Sequence, residues 1–214
     1  PLAMLAGLLL SAAAGAVSTP VVNPNRPLDT AAAVAEALAA KPTAQRSPAE
    51  RTAASGFEAL LAGDVAQAED SFEQALKTDP KLSAALLGLA DVRIRQQRPA
   101  EAETLLKRAL TNEPRNATLH AALGRYYRVQ GDIARAKASY GEAIRLDPAA
   151  LLPHLGLADL YATVERDPRA AAEEYRKALT IKPDYHPARL GLGLALLAGG
   201  DRAGALAELQ RLAK

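Results

Sequence analysis

The sequence predicts an all-α fold, built as a solenoid of stacked, similar helix pairs. Three observations predict it. The first is composition. Of 214 residues, 49% are hydrophobic but only 4% aromatic, and the bulk is Ala and Leu. Both lose little entropy in a helix, while strand-favouring Val, Ile, Thr and Tyr are sparse. The second is a helix end that recurs: FEQALKTDP at 72–80, LKRALTNEP at 106–114, YGEAIRLDP at 140–148 and YRKALTIKP at 175–183, spaced by 34, 34 and 35 residues. Each closes on proline, which cannot continue a helix. The third is a turn signal with the same period, Gly63-Asp64, Gly131-Asp132 and Gly200-Asp201.

The elements follow in order. Leu2 to Thr19 carries no charge. As a helix these eighteen residues span about 27 Å, slightly short of a roughly 30 Å hydrocarbon core. The expectation is a retained membrane anchor over 1–19. The alternative is a cleaved signal with Ala14-Gly15-Ala16 as its small-x-small site. PVVNPNRP, 20–27, holds three prolines and predicts an extended spacer. Leu28 to Ala40 reads as one Ala-rich helix within a 20–47 linker, with Asp29 or Thr30 as its cap. KPTAQRSP breaks it. Ser47-Pro48-Ala49-Glu50 is then a capping box with proline at the first helical position.

From residue 48 the chain repeats to its end, in units of about 48–81, 82–115, 116–149, 150–184 and 185–214. In the second unit Gln97 stands where the others have glycine, with Pro99 opening the next helix. The fourth unit turns at Asp167-Pro168 and is one residue longer. A period of 34 with helix-turn-helix units resembles the tetratricopeptide repeat. The third unit matches best, through His120, Leu123-Gly124, Tyr127, Ala136, Tyr140, Ala143 and Pro148. Its counterparts include Phe72, Ala75 and Pro80 in the first unit, Leu106, Ala109 and Pro114 in the second, and Tyr175, Ala178 and Pro183 in the fourth. No unit has the family's tryptophan; His120 and His154 stand in its place. The resemblance implies a right-handed superhelical solenoid, each pair burying on its neighbours the apolar faces it cannot bury alone.

Chemistry is hard to find in this chain. It has no cysteine, which excludes disulfides, thiolate metal sites and thiol nucleophiles. No HExxH occurs, and no two of the three histidines lie four apart. GLGLALLAGG, 191–200, lacks the third glycine of a phosphate loop. Asp70 and the Glu173-Glu174 pair read as solvated charge on outward faces. The reading is therefore no enzyme, no cofactor and no metal. Net charge is +2, without basic runs interleaved with aromatics, so nucleic acid is not an expected partner.

The expected partner is a protein. The resemblance implies a concave groove lined by first helices. By register its positions are Leu87, Asp91, Ile94, Arg95, Ala121, Arg125, Arg128, Leu152, Leu155 and Asp159. Asp91, Arg125 and Asp159 recur at equivalent places, either as a ladder between neighbouring helices or, with Arg95 and Arg128, as a clamp for a partner's carboxylate. Chaperone-binding members of the family use Lys and Asn there, which this sequence lacks. Leu196, Leu206, Leu209 and Leu212 form a second candidate interface on the last unit. The function so implied is a noncatalytic scaffold in a bacterial envelope complex, tethered by membrane contact through residues 2–19, with the repeats periplasmic. The alternatives are an accessory subunit of a membrane enzyme or respiratory complex, and a soluble periplasmic adaptor.

Overall fold

The computed structural model describes residues 29–212. These residues hold eleven α-helices: α1 (Asp29–Ala40), α2 (Pro48–Ala62), α3 (Val65–Thr78), α4 (Ser83–Arg95), α5 (Pro99–Asn112), α6 (Ala117–Val129), α7 (Ile133–Leu146), α8 (Leu151–Leu160), α9 (Pro168–Ile181), α10 (His186–Ala198) and α11 (Arg202–Arg211). No strand occurs among the described residues. The apolar run, the proline spacer, and the side chains of Asp29 and Thr30, expected to cap α1, lie outside what is described.

From α2 onward the helices pair as α2/α3, α4/α5, α6/α7, α8/α9 and α10/α11. Each second helix also packs on the first helix of the next pair. The pairing is written locally. Ser47 accepts from the Glu50 amide at 3.1 Å while its own amide donates to Glu50 at 2.6 Å, completing the capping box that starts α2. Asp64, Asp132, Asp167 and Asp201 cap α3, α7, α9 and α11 through their carboxylates. The five tight turns share one more feature. Gly63, Gln97, Gly131, Arg166 and Gly200 all have positive φ, between 54° and 88°. Two residues with side chains thus hold a left-handed conformation that suits glycine.

The extra residue of the fourth unit is absorbed in its first helix. Tyr161–Glu165 form a π turn that continues α8, and the Asp167 amide reaches back to the Tyr161 carbonyl at 2.9 Å. A π bulge is how a helix accepts one residue without losing the bonds on either side. Asp167 and Pro168 then open α9 in register.

The core is a row of side chains wedged between successive first helices. Phe72, from α3, lies against Gly56 of α2 and Gly88 of α4; a Cβ on Gly56 would stand 2.7 Å from the Phe72 ring. Tyr140, from α7, lies in the same way against Gly124 of α6 and Gly156 of α8. The pair between them has Leu106 instead, fully buried, and its equivalent small positions are Ala90 and Ala122. Ring size and neighbour size therefore change together, as close packing demands. Tyr175 of α9 meets Gly191 of α10.

Candidate partner-binding groove

Neighbouring first helices touch along the stack: α2 with α4, α4 with α6, α6 with α8 and α8 with α10. The surface they share is where the groove was expected. Its polar centre forms where α4, α6 and α8 lie side by side. Arg125 Nη1 donates to Asp91 Oδ1 at 3.1 Å, one helix pair away. Arg95 Nε donates to the other oxygen of Asp91 at 3.3 Å. Asp159, next in the series, accepts from the Tyr175 hydroxyl at 2.6 Å. Arg128 lies beside the Tyr140 hydroxyl, and its Nε is buried without a hydrogen-bond partner.

Electrostatics here are set by burial. Desolvation pushes the Arg125 guanidinium down, with Asp91 opposing it. Burial pushes the Tyr140 phenol up to about 12, although Arg128 and Arg125 pull the other way. Burial, reinforced by Asp159, raises Tyr175 further still.

Four groove expectations need correction: Leu87, Asp91, Ala121 and Leu155 are all buried. Leu87 and Asp91 are each only 2% exposed, so neither offers a side chain to a partner. Asp91 is enclosed by its two arginines; Leu87 belongs to the main hydrophobic core, which α1 joins. Leu155 is buried too, within the C-terminal part of the core. Arg95, Arg125, Arg128, Leu152 and Asp159 are partly exposed. Of the terminal leucines, Leu206 is 47% exposed. Leu209 turns inward onto Gly193, Leu196 packs on the core, and Leu212 is half-buried.

Glu174 is a further correction. It was expected on a solvated face, yet it is buried and meets His154 Nδ1 at 2.7 Å. Its carboxyl is desolvated, but His154 and Lys177 outweigh that and hold it below the usual carboxylate range. Arg189 repeats the arrangement one pair later, donating to Glu208 at 2.9 Å. This residue was missed in the sequence, although it stands 35 positions after His154, the spacing that separates the fourth and fifth units. His120 Nε2 donates to the Pro114 carbonyl at 2.9 Å, and His154 Nε2 approaches that of Pro148 at 3.4 Å. Arg189 reaches the Pro183 carbonyl, and Arg108 donates to that of Pro80 at 2.6 Å. Every junction proline is thus tied by a basic side chain, so the polar residues at the tryptophan place are joints of the solenoid. Among the described residues no cluster of three or more His, Asp or Glu could hold a metal ion. None of the described helices is long and apolar enough to cross a membrane.

A stack of periodic helix pairs, joined by such contacts, defines a helical-repeat solenoid. Tetratricopeptide-repeat profiles match residues 59–126 and 162–214, and a second one matches 121–186. The chain belongs to the tetratricopeptide-repeat family. Over 148 residues, 64% of the chain, it is 39% identical to the cellulose synthase operon protein C of Xanthomonas axonopodis pv. citri (strain 306). Over 169 residues, 73% of the chain, it is 31% identical to the cellulose synthase 1 operon protein C of Komagataeibacter xylinus. It spans only 10% and 13% of the length of those relatives. Among solved structures, Pseudomonas aeruginosa PilF superposes with a TM-score of 0.68 at 22% identity, covering 77% of this chain and 75% of that one. A thermophilic repeat protein of Thermus thermophilus superposes with 0.66 at 23%, covering 77% and 89%. At these identities the likeness is one of fold.

Proposed function

We propose that residues 48–214 are a noncatalytic docking domain, which binds a partner protein within a membrane-associated complex of the bacterial envelope. The observation that carries this reading is the shared face of α4, α6 and α8. It holds Arg95 and Arg125 partly exposed around a buried carboxylate, with Arg128, also partly exposed, beside Tyr140. Arg95 and Arg125 are partnered by Asp91. Arg128, with an unpartnered buried Nε, is the position for an acidic group of the partner. Leu152, half-buried at the start of α8, offers apolar contact, and Leu206 is a lesser contact on the last pair.

Among envelope processes, the relatives named as cellulose synthase operon proteins favour a polysaccharide complex. Residues 1–19 are the proposed tether, which leaves the repeats in the periplasm. The test is a tagged pull-down from gently solubilised membranes, with mass spectrometry of the partners and of this chain's own N-terminus. Recovery of one stoichiometric envelope complex that depends on Arg128 supports the reading. Recovery of free protein from the soluble fraction, indifferent to Arg128→Ala, overturns it.

A further inference from the structure

α1 does not stand apart from the repeats. It packs against α2, α4 and α6, the first helices of three consecutive pairs. A helix that touches these three first helices shares two of them, α4 and α6, with the face on which partners are received in the reading above. Its own pattern suits that seat. Ala31 and Leu38 are buried, Val34 and Ala35 are half-buried against the same core, and Ala32, Glu36, Ala37 and Ala39 face outward. The buried set follows the i, i+3, i+4, i+7 rule of one helix face.

The attachment is one-sided and light. At the C-terminal end, Arg46 donates to the Lys41 and Ala39 carbonyls at 2.7 and 3.0 Å, and Lys41 pairs with Glu50 at 2.8 Å. The Lys41–Glu50 pair ties this end of the helix to the start of α2. Along its length only small or single aliphatic side chains hold it. The contacts from α2 to α11 run from pair to pair without it. An element with so few buried side chains opens before the body of a protein does.

We infer that the face lined by α2, α4 and α6 is a helix-binding groove, that α1 is its occupant within the chain, and that a partner helix with small apolar residues at the same spacing docks there by replacing α1. This deepens the docking reading and rests on it. The occupant in cis is favoured by its tether, which gives an effective concentration on the order of millimolar. A partner must therefore present more apolar surface than Ala31, Val34, Ala35 and Leu38 do. Helix-in-groove recognition is selective through such anchors.

The absence of cysteine gives a direct test. Single variants Leu38→Cys and Leu86→Cys place one thiol on the inward face of α1 and one, fully buried, in α4. Thiol labelling of the whole chain is expected to be about 100-fold faster at 38 than at 86, because α1 opens locally. A synthetic peptide of residues 28–41, added in trans, should raise the rate at 38 further and to a plateau. Hydrogen exchange on the unmodified protein, α1 amides against α4 amides, gives the same comparison without substitution. Equal labelling and equal exchange at the two places would make α1 an integral part of the fold and sink the proposal. So would a peptide that leaves the rate unchanged at millimolar concentration. If α1 exchanges as expected while the pull-down finds no partner, the docking function fails and the cis helix site stands.

Discussion

Arg125 donates to Asp91 at 3.1 Å, joining α6 to α4. Because Asp91 is almost fully enclosed, the two partners are not equivalent. Asp91→Ala leaves Arg125 buried without a counterion and is expected to cost about 3–5 kcal/mol. Arg95→Ala removes the more exposed partner and should cost about 1 kcal/mol or less. Urea denaturation of both variants checks the order. Equal costs would mean that Arg95, not Arg125, neutralises the buried carboxylate.

Phe72 lies between Gly56 and Gly88 with no room for a methyl group. Gly88→Ala should destabilise by about 1–3 kcal/mol through overpacking. Combining it with Phe72→Leu recreates one side of the Leu106 arrangement, where Ala122 is the equivalent of position 88. The double variant is therefore expected to be more stable than the sum of the single effects implies, with coupling of about 0.5–3 kcal/mol. A double-mutant cycle by thermal melting measures this directly.

Gln97 and Arg166 hold φ of 59° and 54° at turns where Gly63, Gly131 and Gly200 do the same without a side chain. Replacing either by glycine relieves a left-handed penalty of roughly 1–2 kcal/mol, offset in part by the entropy glycine adds to the unfolded chain. Each substitution should raise stability by a few tenths to about 1 kcal/mol. The two sites sit in different pairs, so their effects should add. A fall in melting temperature would show that these side chains make contacts worth more than the strain.

Burial raises the Tyr140 phenol to about 12, against about 10 in an unfolded chain. The folded state therefore holds its proton more tightly. This stability is complete below pH 10 and is lost as pH rises through about 12. Alkaline unfolding of the chain should be displaced to higher pH in Tyr140→Phe relative to a denaturant-matched control. An unchanged alkaline midpoint would place the sensitivity elsewhere, Tyr175 first.

Glu174 behaves in the opposite sense. Its folded carboxyl, desolvated but bonded to His154 and Lys177, sits below the ordinary value. The stabilisation is present above the ordinary carboxylate range and is lost as pH falls through the folded value. Glu174→Gln should lower stability at neutral pH and flatten the acid limb of a stability–pH curve. An acid limb identical to that of the unsubstituted chain would show that the His154 contact contributes nothing net.

Much of this molecule is local, and local features are readable in a sequence. Proline ends, aspartate caps and glycine turns act within a few residues of themselves, so the period, the pairing and the fold class follow from residue types alone. Even Gln97 was identifiable as the odd member of the turn series, because its place is set by spacing. Only the tertiary structure decided what depends on distance between pairs. It buried Leu87 and Asp91, which register alone put on an open groove. It joined Glu174 to His154 across twenty residues, and Arg189 to Glu208 across nineteen, turning apparent surface charge into joints. It seated α1 across three helices that lie far apart in sequence. The reason is physical. A residue's exposure is set by what other segments bring against it, and a 34-residue repeat repeats its helices without repeating its neighbours at the ends.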